Sequence, residues 1–200
     1  MKKLLIATRN LGKAREIAAV LSDLPVKIVT LADYPDAPEV EESGSTFLEN
    51  AVQKAVCYAR FSGELTLSDD SGLEVDALNG APGVFSSRFA PSDPERIAKV
   101  LELMKDVPDN RRSARFRCVI AIASPDGQVE TCEDTLEGFI AREPKGSNGF
   151  GYDPILYLPD LGKHVAELSP EEKNAISHRG KALIKAKDVL RRKLALHNEK

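Results

Sequence analysis

The chain has 200 residues, 42% hydrophobic and 30% charged, which is enough to bury a substantial core in a single globular domain of two lobes. Its 28 basic and 31 acidic residues leave a formal net charge of -3. That balance excludes the basic footprint of a dedicated nucleic-acid binder, so an anionic substrate has to be held by local cations or a metal. Cys57, Cys118 and Cys132 are far apart and form no Cys-x-x-Cys pair, which argues against a zinc site or disulfide framework and for a reducing, cytoplasmic setting. The apolar opening Leu4–Ala7 stops at Thr8-Arg9-Asn10, too short for a signal peptide, and no stretch reaches transmembrane length, so no membrane partner is expected.

Leu4–Ala7 reads as a buried strand, followed by a helix with Ala14, Ile17, Ala18 and Leu21 at helical spacing. Val26–Val29 is a second short strand, and residues 33–45 form a long acidic loop containing proline. Thr46-Phe47-Leu48-Glu49 matches a capping box and opens a helix whose apolar face carries Phe47, Ala51, Ala55 and Tyr58. Lys54 falls on that same stripe, where a lysine snorkels to solvent or meets an anion.

Leu65–Ser68 reads as a strand ending at Asp69-Asp70-Ser71-Gly72, two acids and a glycine in an expected tight turn. Asn79–Gly83 is a loop, Asp93–Met104 a helix with Pro94 in its first turn, and Ala114–Ala123 the clearest long strand. The basic run Arg111–Arg117 at its start reads as a strand edge or subunit contact. Asp126-Gly127 turns the chain into a returning strand over Val129–Ala141. Gly146–Asp153 is a glycine-rich loop and Ile155–Leu158 the final strand. Ser169-Pro170-Glu171-Glu172 is a strong helix start, and a closing helix spans Gly180–His197. The pattern is mixed α/β.

Several segments carry candidate chemistry. Thr8-Arg9-Asn10-Leu11-Gly12-Lys13 joins a strand to a helix N-terminus, where backbone amides, Thr8, Asn10 and Lys13 are donors for phosphate. It lacks the glycine and Ser/Thr positions of a Walker A loop. Glu41 and Glu42 precede the second helix, and either can join Asp69 and Asp70 around one Mg²⁺, whose site needs only one or two protein carboxylates. In Gly149-Phe150-Gly151-Tyr152-Asp153, glycines let a ligand approach closely, Phe150 or Tyr152 can stack on a base, and Asp153 can accept from a ring nitrogen. Lys173, His178 and Arg179 add donors.

Taken together, these segments resemble the inosine triphosphate pyrophosphatase family, also called noncanonical purine NTP or dITP/XTP pyrophosphatases. The resemblance runs from Leu4 to about Leu194. It rests on Thr8-x-Asn10-x-x-Lys13, Glu41-Glu42-x-Gly44-x-Thr46-Phe47-x-Glu49-Asn50-Ala51, Lys54-Ala55, Asp69–Leu73, Gly80–Gly83, Gly149–Pro154, Glu172-Lys173-Asn174 and Ile176–Gly180. It implies a central mixed β-sheet with flanking helices, two lobes around an active-site cleft, and a homodimer. It also implies Mg²⁺-dependent hydrolysis of ITP, dITP and XTP to the monophosphate and pyrophosphate, which clears damaged purines from the nucleotide pool.

By the same resemblance, Asp70 is the general base and a metal-associated acid, and Glu41 the other metal carboxylate, with Glu42 as the alternative in register. Thr8, Arg9, Asn10 and Lys13 bind the triphosphate, Lys54 lies near the phosphates, and Ser71 contacts substrate. Phe150, Gly151, Tyr152 and Asp153 form the base-binding loop, and Lys173, His178 and Arg179 reach the base. The stretch Ala90–Ala98 departs from the family pattern, and Phe85 and Phe89 stand where tyrosine is more common. The rival readings are a pyrophosphatase of different base preference and a catalytically silent nucleotide-binding protein.

Overall fold

A computed structural model of the chain describes residues 1–196. The strands are β1 (Lys3–Ile6), β2 (Lys27–Thr30), β3 (Leu65–Val75), β4 (Ser113–Ala123), β5 (Val129–Ile140), β6 (Leu156–Leu158) and β7 (Lys163–His164). The helices are α1 (Leu11–Val20), α2 (Phe47–Ser62), α3 (Asp93–Leu103), α4 (Pro170–Ile176) and α5 (His178–Leu196). The strands form one mixed sheet in the order β2-β1-β3-β4-β5-β6-β7. β1 pairs in parallel with β2 and β3, while β5, β6 and β7 pair antiparallel. The expected α/β class is therefore what the chain adopts. The last residue of the expected closing helix, His197, lies outside the described residues.

The chain divides into two compact units. The first holds Met1–Asp70, Cys118–Asp134 and the segment from Arg179 onward; the second holds Ser71–Arg117 and Thr135–His178. Strand alternation organises the first unit. Leu4 and Ile6 of β1 pack in a cluster with Ile17 of α1, Leu21 at its C-cap, and Leu183 and Leu190 of α5. Leu5, next in sequence and so on the opposite side of the pleat, joins Ala7, Val29, Leu31 and Tyr58 of α2. In the second unit, Leu73, Val100, Met104, Phe116, Tyr152, Ile155 and Leu168 share one cluster.

Several expectations change. The acid pair does not end its strand, because β3 runs unbroken from Leu65 to Val75 with Asp69–Gly72 inside it. The local signal for a turn is strong, but the strand continues beyond Leu67, where its pairing with β1 ends, and the backbone stays extended to Val75. Gly72 is there for a close approach: a Cβ would stand 2.6 Å from the Gly83 carbonyl oxygen. The nearby Ser86 hydroxyl accepts from Leu73 N at 2.9 Å. Only half of the expected capping box forms. Thr46 caps α2, whereas the Glu49 carboxylate reaches one residue further back, to Ser45 N at 2.6 Å. A further two-residue strand, β7, follows β6, too short to leave a period in the sequence.

The basic run is not a sheet edge, since β4 lies between β3 and β5. Arg115 pairs with Asp76 and Glu137, and Arg117 with Glu74. Arg112 is buried and donates to the carbonyls of Met104, Val107, Ile140 and Ala141 at 2.6 to 3.1 Å. It thereby ties the end of α3 to the end of β5. Arg112→Met removes these four donors. It should destabilise the protein by on the order of 3 kcal/mol, seen in thermal unfolding as a Tm lower by on the order of 10 °C. An unchanged Tm would show that other donors satisfy these carbonyls.

Candidate active site

The adjacent acids of β3 face opposite sides of the sheet, as successive residues of a strand must. Leu65 and Leu67 pack in the cluster with α1 and α5, and Asp69 follows their parity. Asp69 Oδ1 is 3.3 Å from Lys13 Nζ of α1, and Oδ2 is 3.1 Å from Arg179 Nε of α5. The Arg179 guanidinium also pairs with Glu16, one turn beyond Lys13 on α1. Ser68 and Asp70 take the other parity and face α2. Ser68 Oγ donates to Ala51 O at 2.5 Å. Lys54 Nζ is 3.9 Å from Asp70 Oδ1, 2.6 Å from Glu42 Oε1 and 2.8 Å from Asp69 O. Lys54 therefore does not snorkel; its ammonium ends among acceptors.

Electrostatics separates the two acids. Burial alone would raise the Asp69 carboxyl, but Lys13, Arg179 and Lys54 outweigh it and hold Asp69 well below the usual carboxylate range. Burial also acts first on Asp70. Lys54 and Lys13 oppose it only in part, Glu42 and Asp69 reinforce it, and Asp70 is raised to about 6. Burial works against the charge on Lys54, yet Asp69, Asp70 and Glu42 more than offset it, so the ammonium is held more firmly than usual. Asp70 Oδ2 is buried with no hydrogen-bond partner among the described residues.

A carboxylate with an unused oxygen and a raised pKa suits two tasks, accepting a proton from water and binding a divalent cation. Among the described residues no group of three or more His, Cys, Asp or Glu is assembled to hold a metal. A cation here would therefore take few protein ligands, with water and phosphate oxygens completing its octahedron, which is how Mg²⁺ is commonly held. Of the two glutamates left open by the motif, the half-buried Glu42 is the one placed on Lys54, whereas Glu41 is exposed. The segment carrying Glu42 is tied to α2 by Gly44 N, which donates to the buried Asn50 Oδ1 at 2.8 Å.

The turn into α1 is capped by its own side chains. Asn10 caps the helix by accepting from Lys13 N at 3.1 Å, and Asn10 N donates to Thr8 Oγ1 at 3.1 Å. Arg9 is exposed, with one weak bond to Ala37 O at 3.4 Å. The first unit thus gathers Lys13, Glu42, Lys54, Asp69, Asp70 and Arg179.

The second unit, which begins at Ser71, carries the other candidates. Lys173 Nζ lies 4.6 Å over the Phe150 ring and 2.6 Å from Asp153 Oδ2. Asp153 Oδ2 also accepts from Phe150 N at 3.1 Å, closing the loop on itself. Gly149 and Gly151 have φ of 71° and 61°, the left-handed region that glycine enters without strain. Tyr152 is buried in the core, its hydroxyl donating to Ser86 O at 2.7 Å. Its ring packs in the core cluster, whereas the Phe150 ring is half-buried with Lys173 over it. His178 stacks on Phe116 with centroids 5.0 Å apart.

The family model described as the Ham1 family matches residues 4–189. The chain belongs to the Ham1 family. It is 53% identical over 200 residues to a dITP/XTP pyrophosphatase of Desulforamulus reducens, covering 98% of this chain and 99% of that protein. It is 52% identical over 188 residues to one of Geobacillus kaustophilus, covering 92% of each. Among solved structures, a HAM1 protein from Coxiella burnetii matches with a TM-score of 0.87 and 48% identity over 96% of this chain and all (100%) of that one. The Staphylococcus aureus Ham1 protein matches at 0.85 and 40%, with the same coverage.

Within this Ham1 chain the expected trio Lys173, His178 and Arg179 is split. Arg179 belongs to the first unit, buried on Asp69 and Glu16, while Lys173 and His178 belong to the second. Periodicity identifies none of Glu16, Ser86 or Phe116 as part of these arrangements. Only Glu16 has a signal, its spacing of one helical turn from Lys13. The raised pKa of Asp70 makes a stability prediction for the metal-free protein. A carboxyl whose folded pKa lies near 6 opposes folding above that pH, and the penalty fades as pH falls toward its unfolded value near 4. Asp70→Asn should therefore raise stability by roughly 2–3 kcal/mol at pH 8, with the gain shrinking as pH drops through 6. Urea titrations at pH 8 and pH 5 check this; a variant less stable at pH 8 would contradict it.

Proposed function

We propose that the chain hydrolyses ITP, dITP and XTP to the monophosphate and pyrophosphate with Mg²⁺, removing deaminated purines from the nucleotide pool. The observation that carries this is Asp70, a buried carboxyl raised to about 6, with a free oxygen and a lysine beside it. The relatives named dITP/XTP pyrophosphatase support the substrate class.

In this reading Thr8, Asn10, Lys13 and Lys54 receive the polyphosphate, and their donors and charges offset its negative charge. Asp70 accepts a proton from the attacking water. The water oxygen bonds to the α-phosphorus, the bond to the bridging oxygen breaks, and that electron pair leaves on pyrophosphate. Asp69, held charged by Arg179, keeps Lys13 in place. Asp70, with Glu42 or Glu41, would hold Mg²⁺, which would supply Lewis-acid neutralisation of phosphate charge.

In the second unit Phe150 offers a stacking face, and Lys173 and His178 offer donors. Hypoxanthine and xanthine carry an acceptor oxygen where adenine carries an amino donor, so adenine would set donor against donor. Such a polar mismatch discriminates far more strongly than a size difference. Ser71 is assigned to substrate, and Asp153 to holding Lys173 and Phe150. The substrate is a free nucleotide in the cytoplasm rather than nucleic acid, as the formal net charge of -3 supports, and the working assembly is a homodimer. Among the described residues no helix is long and apolar enough to cross a membrane.

The test is pyrophosphate release from ITP, dITP, XTP, ATP and GTP, with Mg²⁺ and with chelator. Fast, metal-dependent release from the first three with ATP and GTP lagging is expected. Asp70→Asn should lower kcat by on the order of a thousandfold while ITP binding persists. Orthophosphate as product, or equal rates on ATP, would overturn the reading.

A further inference from the structure

We propose that Asp93 is a positioning residue that sets the loop facing the purine, an inference resting on the assignment of Phe150 and its neighbours to the base. Asp93 is the first residue of α3, a helix that contributes none of the groups assigned above. Its carboxylate spans two partners: Oδ2 accepts from Gly151 N at 2.8 Å, and Oδ1 accepts from Arg96 at 2.6 Å. Arg96 is anchored in turn through Nε to Ala90 O at 2.9 Å.

Gly151 is the point in the loop where such a tie matters. Its φ of 61° marks the bend between Phe150 and Tyr152. Phe150 N is fixed by Asp153, and Tyr152 by its hydroxyl on Ser86 O. The peptide plane between Phe150 and Gly151 is held at both ends, by Gly151 N donating to Asp93 at 2.8 Å and by Phe150 O accepting from Asp153 N at the longer 3.3 Å, and the direction of the Phe150 ring depends on that plane. A carboxylate accepting from an amide N–H makes a charge-assisted bond, roughly twice as strong as a neutral one. The side chain is 41% exposed, so removing it leaves no hole in the core. The bland account is that Asp93 only complements the positive end of α3. Glu95, in the same helical turn, does that too and makes its side-chain bond to Ser92 instead.

The experiment compares the full-length wild type with Asp93→Ala, Asp93→Asn and Glu95→Ala, using ITP with Mg²⁺. Asp93→Ala should raise KM for ITP about tenfold while kcat stays within about twofold, because a misplaced stacking face weakens ground and transition states alike. Asp93→Asn, which keeps an acceptor oxygen, should recover most of the loss, and Glu95→Ala should match wild type. The Gly151 amide proton should move upfield in Asp93→Ala, whichever nucleotide is the substrate. A wild-type KM in Asp93→Ala, an unmoved Gly151 amide, or an equal effect of Glu95→Ala would overturn the inference while leaving the reaction assignment intact. A wild type that fails to turn over ITP would overturn the assignment on which the inference rests.

Discussion

The arrangement depends on one constraint: two neighbouring carboxylates buried in the middle of a strand, facing opposite sides of its pleat. Both acids are buried there, and the cost of an unpaired buried charge is several kcal/mol. Each must meet cations from the helix layer on its own side. Asp69 meets Lys13 and Arg179, from α1 and α5, and Asp70 meets Lys54, from α2. The three helices are thus tied to one strand by charge as well as by packing. The split also gives the acids different chemistry. Asp69 is over-compensated and held well below the usual carboxylate range, whereas Asp70 is under-compensated and left with an unused oxygen. That oxygen is a local cost in stability, which is common where a protein holds a reactive group ready.

The second unit follows a different principle. Its loop is glycine-rich, yet it is fixed at successive positions: Asn148 N to Ala166 O, Phe150 N to Asp153, Gly151 N to Asp93 and the Tyr152 hydroxyl to Ser86. Glycine supplies the backbone angles, and these bonds remove the freedom that glycine would otherwise bring. An aromatic face and an ammonium are thereby presented in one arrangement, as discrimination between bases by hydrogen-bond matching requires.

Much of this is legible in the sequence where the signal is local. The stripe Phe47, Ala51, Ala55, Tyr58 predicts the buried face of α2, and of the two outcomes open to Lys54 on that stripe, solvent or an anion, the structure supplies the anions Glu42 and Asp70. Asn10 and Ser169 cap the helices expected of them. Local signals mislead where tertiary neighbours decide. Asp-Asp-Ser-Gly has every mark of a turn, yet it stays extended inside β3, and Gly72 serves the approach of Gly83 and Ser86 rather than a bend. Arg112 reads as part of a surface cluster but is buried on four carbonyls distant in sequence. The ties from Asp93 to Gly151 and from Glu16 to Arg179 span 58 and 163 positions, beyond any periodicity.

The most direct test of the divided acid pair is a ¹³C NMR titration of the side-chain carboxyls of the metal-free protein. Asp70 is expected to titrate with a midpoint near 6, while the Asp69 carboxyl shows no protonation over the range in which the protein stays folded. An Asp70 midpoint near 4, as for an exposed carboxyl, would contradict the division, and with it the role of Asp70 as the group that takes a proton from water.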